Sequence, residues 1–200
     1  QLLSPSDFEA VLHLAKKKES FLIIDESFID FVGDDVSYRR VLVNETCGAV
    51  VMSLTKFYAV PGLRIGAAFL HSALAERLRD TLIPWNVNGL AQSYMTAAAQ
   101  DLDYIKDSRG YCQTEREKLS AALEALDFVK VLPGSVNFIL CQLIGKFETA
   151  GKLQKALMPY HIFIRQCGNY EGLGETYFRV AVRTEEENQI LIKALGAVEN

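Results

Sequence analysis

Three short, unbroken apolar runs, each stopped by a polar residue, constrain this chain most. Phe21-Leu22-Ile23-Ile24 ends at Asp25, Ala49-Val50-Val51-Met52 ends at Ser53, and Ala67-Ala68-Phe69-Leu70 ends just before Ser72. Runs this short and continuous read as strands buried on both faces, the habit of a parallel sheet covered by helices. A helix precedes the first run. Ser4 is placed to cap it, Pro5 suits its first turn, and Asp7 sits at its positive end. Phe8, Val11, Leu12 and Ala15 recur at helical spacing, and Lys16-Lys17-Lys18 closes the helix favourably against its dipole. Ser72 is expected to cap a further helix. Strand and helix thus alternate over the first 85 residues, which points to an α/β fold.

The pattern turns helical from about Gly89 to Leu126, with a break expected near Asp107. Beyond it, strands are expected near 128–132, 136–143, 161–167 and 177–182, and helices near 149–158 and 185–198. Thr184 and Glu187 have the spacing of a capping box for the last helix. The expected partition is a partial large α/β domain over 1–88, interdomain helices over 89–126 and a small α+β domain over 127–200.

Half of the residues are apolar and 23% are charged, with a net charge of −4, as in a globular protein with a buried core. Lysine and arginine are spread along the chain, so no nucleic-acid partner is expected. No run approaches the length of a membrane span. Cys47, Cys112, Cys141 and Cys167 form no CxxC pair and read as reduced thiols of a cytoplasmic protein. His13, His71 and His161 have no metal-ligand spacing, so no metal site is expected.

Asp25, Ser53 and Lys56 lie at or just past the carboxyl ends of the first strands, the edge where open α/β sheets bind ligands. Arg64 follows the Pro61-Gly62 turn. An acid, a lysine and an arginine around one crevice match the needs of pyridoxal phosphate. The aldehyde needs an amine, the ring nitrogen needs an acid to remain protonated, and the phosphate needs hydroxyl and guanidinium donors. Taken singly, each has a plainer reading. A lone lysine near a loop is usually a solvated charge. Arg183 could equally pair with Glu186 or Glu187. Tyr58, Asn88 and Asn169 could be turn residues. His161 reads as packing or capping, and Cys167 as a small buried thiol.

The blocks together are more specific. Ser53-Leu54-Thr55-Lys56-Phe57-Tyr58-Ala59-Val60-Pro61-Gly62-Leu63-Arg64-Ile65-Gly66 is similar to the lysine motif of the class I/II pyridoxal-phosphate-dependent aminotransferases. Ile24-Asp25-Glu26-Ser27-Phe28-Ile29-Asp30-Phe31 resembles the aspartate motif that precedes it in that family, and Pro84-Trp85-Asn86-Val87-Asn88 and Tyr177-Phe178-Arg179-Val180-Ala181-Val182-Arg183 also fit. The similarity runs over essentially the whole chain. Its nearest branch is the one holding threonine-phosphate decarboxylase and histidinol-phosphate aminotransferase. The segment 162–173, Phe28 and the Lys56-Phe57-Tyr58 block lean towards the decarboxylase.

The resemblance implies the C-terminal part of an aspartate-aminotransferase-like large domain, a partial sheet with flanking helices, followed by a small α+β domain. It also implies roles. Lys56 forms the Schiff base with the cofactor and then moves protons. Asp25 pairs with the ring nitrogen, and Ser53 and Arg64 hold the cofactor phosphate. Arg179 binds the substrate carboxylate and Arg165 meets a substrate phosphate. Phe28 stands where aminotransferase members often carry a tyrosine that donates to the ring oxygen, a bond phenylalanine cannot make. The implied substrate is an amino acid carrying a phosphate, and the implied assembly is a homodimer. The implied reaction is decarboxylation of the threonine-phosphate type, as in cobalamin side-chain synthesis, with histidinol-phosphate-type transamination as the alternative. The chain begins with Gln1 and runs straight into a helix, as a piece of a longer protein would. Relatives carry further cofactor contacts before this point, so a second alternative is that these residues alone are inactive.

Overall fold

The computed structural model describes residues 2–199. By contact density these divide into two compact units, 2–107 and 108–199.

The first unit opens with α1 (Pro5–Lys17), whose Ser4 cap accepts a hydrogen bond from the Asp7 N–H. β1 (Leu22–Asp25), α2 (Arg39–Leu42) and β2 (Gly48–Ser53) follow. Then come α3 (Leu54–Phe57), β3 (Gly66–Leu70), α4 (Ser72–Thr81) and α5 (Gly89–Ala98). The strands form one sheet in the order β1-β2-β3, with β1 parallel and β3 antiparallel to β2. One face is closed by apolar packing: Phe8 and Leu12 of α1 and Leu42 of α2 meet Val50 and Met52 of β2, with Leu22, Ile24 and Phe69 beside them. The Phe8 and Tyr38 rings stack with centroids 3.9 Å apart.

The expectation of strands buried on both faces of a parallel sheet fails for β3, which has no buried residue and runs antiparallel to β2, and the burial part of it fails for β1. Its exposure alternates, and Ile23 is 63% exposed. Helices α1 and α2 pack on the face that carries Leu22 and Ile24, and Ile23 lies on the opposite face, which the described residues of this unit leave open there. The expected Ser72 cap is also displaced by one residue: His71 is the N-cap of α4, its Nδ1 accepting from the Ala73 N–H at 3.3 Å. A histidine acceptor does the work a serine oxygen would do.

α6 (Leu102–Glu124) contains the boundary between the units. The helical break lies at 99–101, between α5 and α6, and Asp107 sits inside α6. Asp101 explains this, since its side chain accepts from the Tyr104 N–H at 2.9 Å and starts the new helix.

The second unit adds β4 (Val129–Val131), β5 (Phe138–Leu143), α7 (Ala150–Leu157), β6 (Arg165–Gln166), β7 (Tyr177–Ala181) and α8 (Glu185–Glu199). Its sheet has the order β4-β5-β7-β6, with every described pairing antiparallel. Leu119 and Leu123 of α6, Leu153 and Leu157 of α7, and Leu195 of α8 pack with Ile139, Cys141, Leu143, Phe178 and Val180 from the sheet. Those residues alternate along β5 and β7, so the side chains between them, Phe138, Leu140 and Arg179 among them, belong to the opposite face. The Thr184–Glu187 capping box forms, with the Glu187 N–H donating to Thr184 Oγ1 at 3.3 Å. Arg183 pairs with Glu187 at 2.7 Å.

Candidate active-site residues

Asp25 closes β1 and faces Val51 of β2, which in turn faces Ala68 of β3. Ser53 lies two residues further along β2, opposite Gly66. Period-two alternation therefore puts Asp25 and Ser53 on one sheet face at the carboxyl end, beside two positions that carry at most a methyl group. Asp25 Oδ1 accepts from both the N–H and the hydroxyl of Ser27, the former at 2.9 Å. Oδ2 makes no hydrogen bond among the described residues. The carboxylate is thus fixed in orientation while keeping acceptor capacity, which is what an acid facing a protonated ring nitrogen needs. The next residue, Glu26, is buried on the other side. It accepts from the Tyr38 N–H at 2.7 Å and from the Ser37 hydroxyl, which binds the segment after β1 to the start of α2.

Lys56 lies in the single turn of α3, directly after β2. Its neighbours Thr55 and Phe57 are buried, whereas Lys56 is exposed. Phe57 packs edge-on against Phe31, Tyr58 and Tyr104, and the Tyr104 hydroxyl donates to the Phe57 carbonyl at 2.8 Å. This aromatic cluster anchors the backbone that follows the amine. Lys56 Nζ lies 5.9 Å from the centroid of the Phe28 ring and has no carboxylate partner among the described residues. The structure therefore brings Lys56 to the turn that follows Asp25. The Ser53 hydroxyl is 2.9 Å from that of Thr55 and does not cap α3.

The loop after Lys56 is strained. Ala59 and Arg64 have φ of 53° and 51°, a left-handed conformation that costs a residue with a Cβ about 1–2 kcal/mol. The Arg64 guanidinium donates to the Pro61 carbonyl at 3.0 Å, and the Asn88 side chain donates to the Leu63 carbonyl at 2.9 Å. Asn88 also caps α5 by accepting from the Ala91 N–H. Arg64 stands two residues before Gly66, the partner of Ser53.

Arg165 and Arg179 lie in the second unit and are register partners across β6 and β7. Arg179 Cζ is 4.5 Å from the Phe138 ring centroid and Arg165 Cζ is 5.6 Å from that of Tyr170. Arg165 also donates to Asn169 Oδ1 at 3.1 Å. Neither arginine has a carboxylate partner among the described residues. Cys167 is buried near both. Burial pushes its thiol pKa up, and the two guanidinium groups pull against that rise.

Sequence reasoning missed three supporting residues: Ser27, Glu26 and Tyr170. Ser27 had a local signal, since a serine two positions after an aspartate is the spacing of a side-chain turn. Glu26 and Tyr170 act through contacts set by tertiary packing and a loop, and no local pattern marks them.

The family model described as aminotransferase class I and II matches residues 1–195. The threonine-phosphate decarboxylase of Salmonella typhimurium is 35% identical over 191 residues, covering 95% of this chain and 52% of that protein. The adenosylcobalamin biosynthesis bifunctional protein of Leptospira interrogans is 35% identical over 181 residues, covering 90% of this chain and 21% of that one. The crystal structure of the histidinol-phosphate aminotransferase from Clostridium acetobutylicum superposes with a TM-score of 0.92 at 32% identity, covering 98% of this chain and 59% of that chain. The chain thus spans about half or less of the curated relatives named here.

Proposed function

This chain belongs to the aminotransferase class I and II family, a pyridoxal-phosphate-dependent one, and from that premise we propose that the protein is a pyridoxal-phosphate enzyme acting on a phosphorylated amino acid. When bound, the cofactor supplies an electrophilic carbon for the substrate's amine and a sink for the electron pair left on the α-carbon. In this reading Lys56 holds the cofactor and carries protons to and from the α-carbon. Asp25, held by Ser27, keeps the ring nitrogen protonated. Ser53 and Arg64 bind the cofactor phosphate. Arg179 takes the substrate carboxylate and Arg165 the substrate phosphate.

The observation that carries the reading is the arginine pair. Two like charges in register are mutually unfavourable. Here no carboxylate of the described residues relieves them, so the pair suits a ligand with two anionic groups. We favour decarboxylation of O-phosphothreonine, supported by the identity to the Salmonella decarboxylase. The bond from the α-carbon to the carboxylate breaks, carbon dioxide leaves, and a proton takes its place, giving an aminopropanol phosphate. Transamination of a histidinol-phosphate-like substrate is the second reading, supported by the likeness to the Clostridium aminotransferase. The α-carboxylate separates the two: O-phosphothreonine carries one for Arg179 to hold and to lose as carbon dioxide, whereas histidinol phosphate carries none and can give up only its α-proton. A homodimer is part of the proposal.

The test is incubation of the full-length protein with O-phosphothreonine and, separately, with histidinol phosphate and a keto acid. Carbon dioxide release without keto acid supports the first reading. Amino transfer that depends on the keto acid supports the second and overturns the first. Neither product overturns both.

A further inference from the structure

Arg165 is an exposed residue on a two-residue edge strand, a poor place from which to aim a guanidinium. A free arginine side chain has roughly 2 kcal/mol of rotamer entropy to lose on binding. Four contacts reduce its freedom beforehand. The strand pairing with Arg179 fixes its backbone, and the Cys167 thiol donates to its carbonyl at 3.5 Å. Asn169 Oδ1 accepts from its NH2 at 3.1 Å, and the Tyr170 ring lies 5.6 Å from its Cζ. The turn carrying Asn169 and Tyr170 is itself rooted. The Cys167 N–H donates to the Tyr177 carbonyl of β7 at 2.9 Å, and the Tyr170 N–H donates to the Cys167 carbonyl at 3.0 Å.

The chemistry of the two side-chain contacts is selective. An amide oxygen and an aromatic face both hold a guanidinium, and neither cancels its charge. A carboxylate would hold it more firmly by a charge-assisted pair. Glu171 and Glu175, the carboxylates of the same loop, make no ion pair with either arginine among the described residues. We propose that Asn169 and Tyr170 are positioning residues that pre-orient the Arg165 guanidinium, with its charge intact, for a phosphate monoester dianion. This rests on the reading of Arg165 given above and deepens it: the preference for a phosphorylated over an unphosphorylated amino acid is set by this turn as well as by the arginine.

The test uses the full-length holoenzyme, with KM and kcat for O-phosphothreonine and the inhibition constant of inorganic phosphate as readouts. Asn169→Ala and Tyr170→Leu should each raise KM and the phosphate inhibition constant up to about fivefold, the worth of one hydrogen bond for the first and of one exposed cation–π contact for the second, with kcat within about twofold. Tyr170→Phe keeps the ring face and should change neither. Asn169→Asp keeps an acceptor and adds a charge, and it should raise both constants about tenfold or more. That penalty should shrink below about pH 6, where the phosphate becomes a monoanion. Binding by Asn169→Asp as tight as in the unmodified protein would overturn the proposal, as would changes in kcat equal to those in KM. If Arg165→Ala itself leaves KM and the phosphate constant unchanged, the assignment of Arg165 fails and the proposal with it. If Arg165→Ala raises both while the Asn169 and Tyr170 variants do not, only the proposal fails.

Discussion

Arg165 and Arg179 stand opposite one another in the register of β6 and β7, and the described residues offer neither a carboxylate. A sheet selected for stability alone would place an acid across from one of them, since opposite charges in register favour the pair and like charges disfavour it by roughly 0.2–1 kcal/mol. Removing one charge should therefore relieve the repulsion. Arg165→Ala is expected to keep or slightly raise the melting temperature while raising KM for a phosphorylated substrate about tenfold or more, the loss of a charge-assisted bond. Thermal unfolding and steady-state kinetics on the same preparation check both halves.

Lys56 has a local environment built to hold it still. Phe57 and Tyr58 on its C-terminal side are buried in an aromatic cluster, so replacing the lysine itself should leave that cluster intact. Lys56→Ala in the full-length protein is expected to abolish turnover and the visible absorbance of bound cofactor, with no loss of thermal stability in the cofactor-free form. A visible band that persists in the variant would remove Lys56 from its assigned role.

Glu115 is buried on α6 at 3% exposure and bonds to Lys118 and to Asn188 of α8. The Lys118 hydrogen bond, with a further one from Asn188, holds its carboxyl below the usual range against the opposing effect of burial. A carboxylate with a depressed folded-state pKa contributes stability above its unfolded pKa of about 4.3, lost as pH falls through the lower folded value. Glu115→Gln should therefore flatten the acid limb of stability below about pH 4 while costing stability at pH 7. Urea midpoints at the two pH values, compared with the unmodified protein, give the answer.

Cys141 is fully buried, and burial pushes its thiol up to about 12; Cys167 is raised in the same direction. All four cysteines are free, and Cys47 is the one not buried. Alkylation of the native protein at pH 8 should label Cys47 first and leave Cys141 and Cys167 unlabelled until denaturant is added. Mass spectrometry of the peptides would read the order.

Gly66 pairs with Ser53, and a Cβ there would lie 2.6 Å from the Met52 carbonyl oxygen. Backbone is the obstacle, so the β2–β3 pairing itself must shift. Gly66→Ala should cost about 1–3 kcal/mol, the usual range for overpacking, and should weaken cofactor binding because Ser53 moves with the strand. Cofactor titration alongside denaturant unfolding tests the pairing of the two effects.

The helices and most strands were legible because they depend on local signals. Ser4 before Pro5, Thr184 three residues before Glu187, and apolar residues at helical spacing each act within a turn or two of chain. Asp25, Ser53, Lys56 and Arg64 were legible as candidates because strand ends precede them and their motif spacing is local too. The sequence by itself could not say that β1 would expose one face, because an apolar run looks the same whether layers cover one face of the sheet or both. Nor could it show Arg165 opposite Arg179, Asn169 and Tyr170 on that guanidinium, or Phe28 within reach of Lys56. Those relationships join residues whose separation in sequence carries no information about register, and only the packing of strand against strand decides which of them meet.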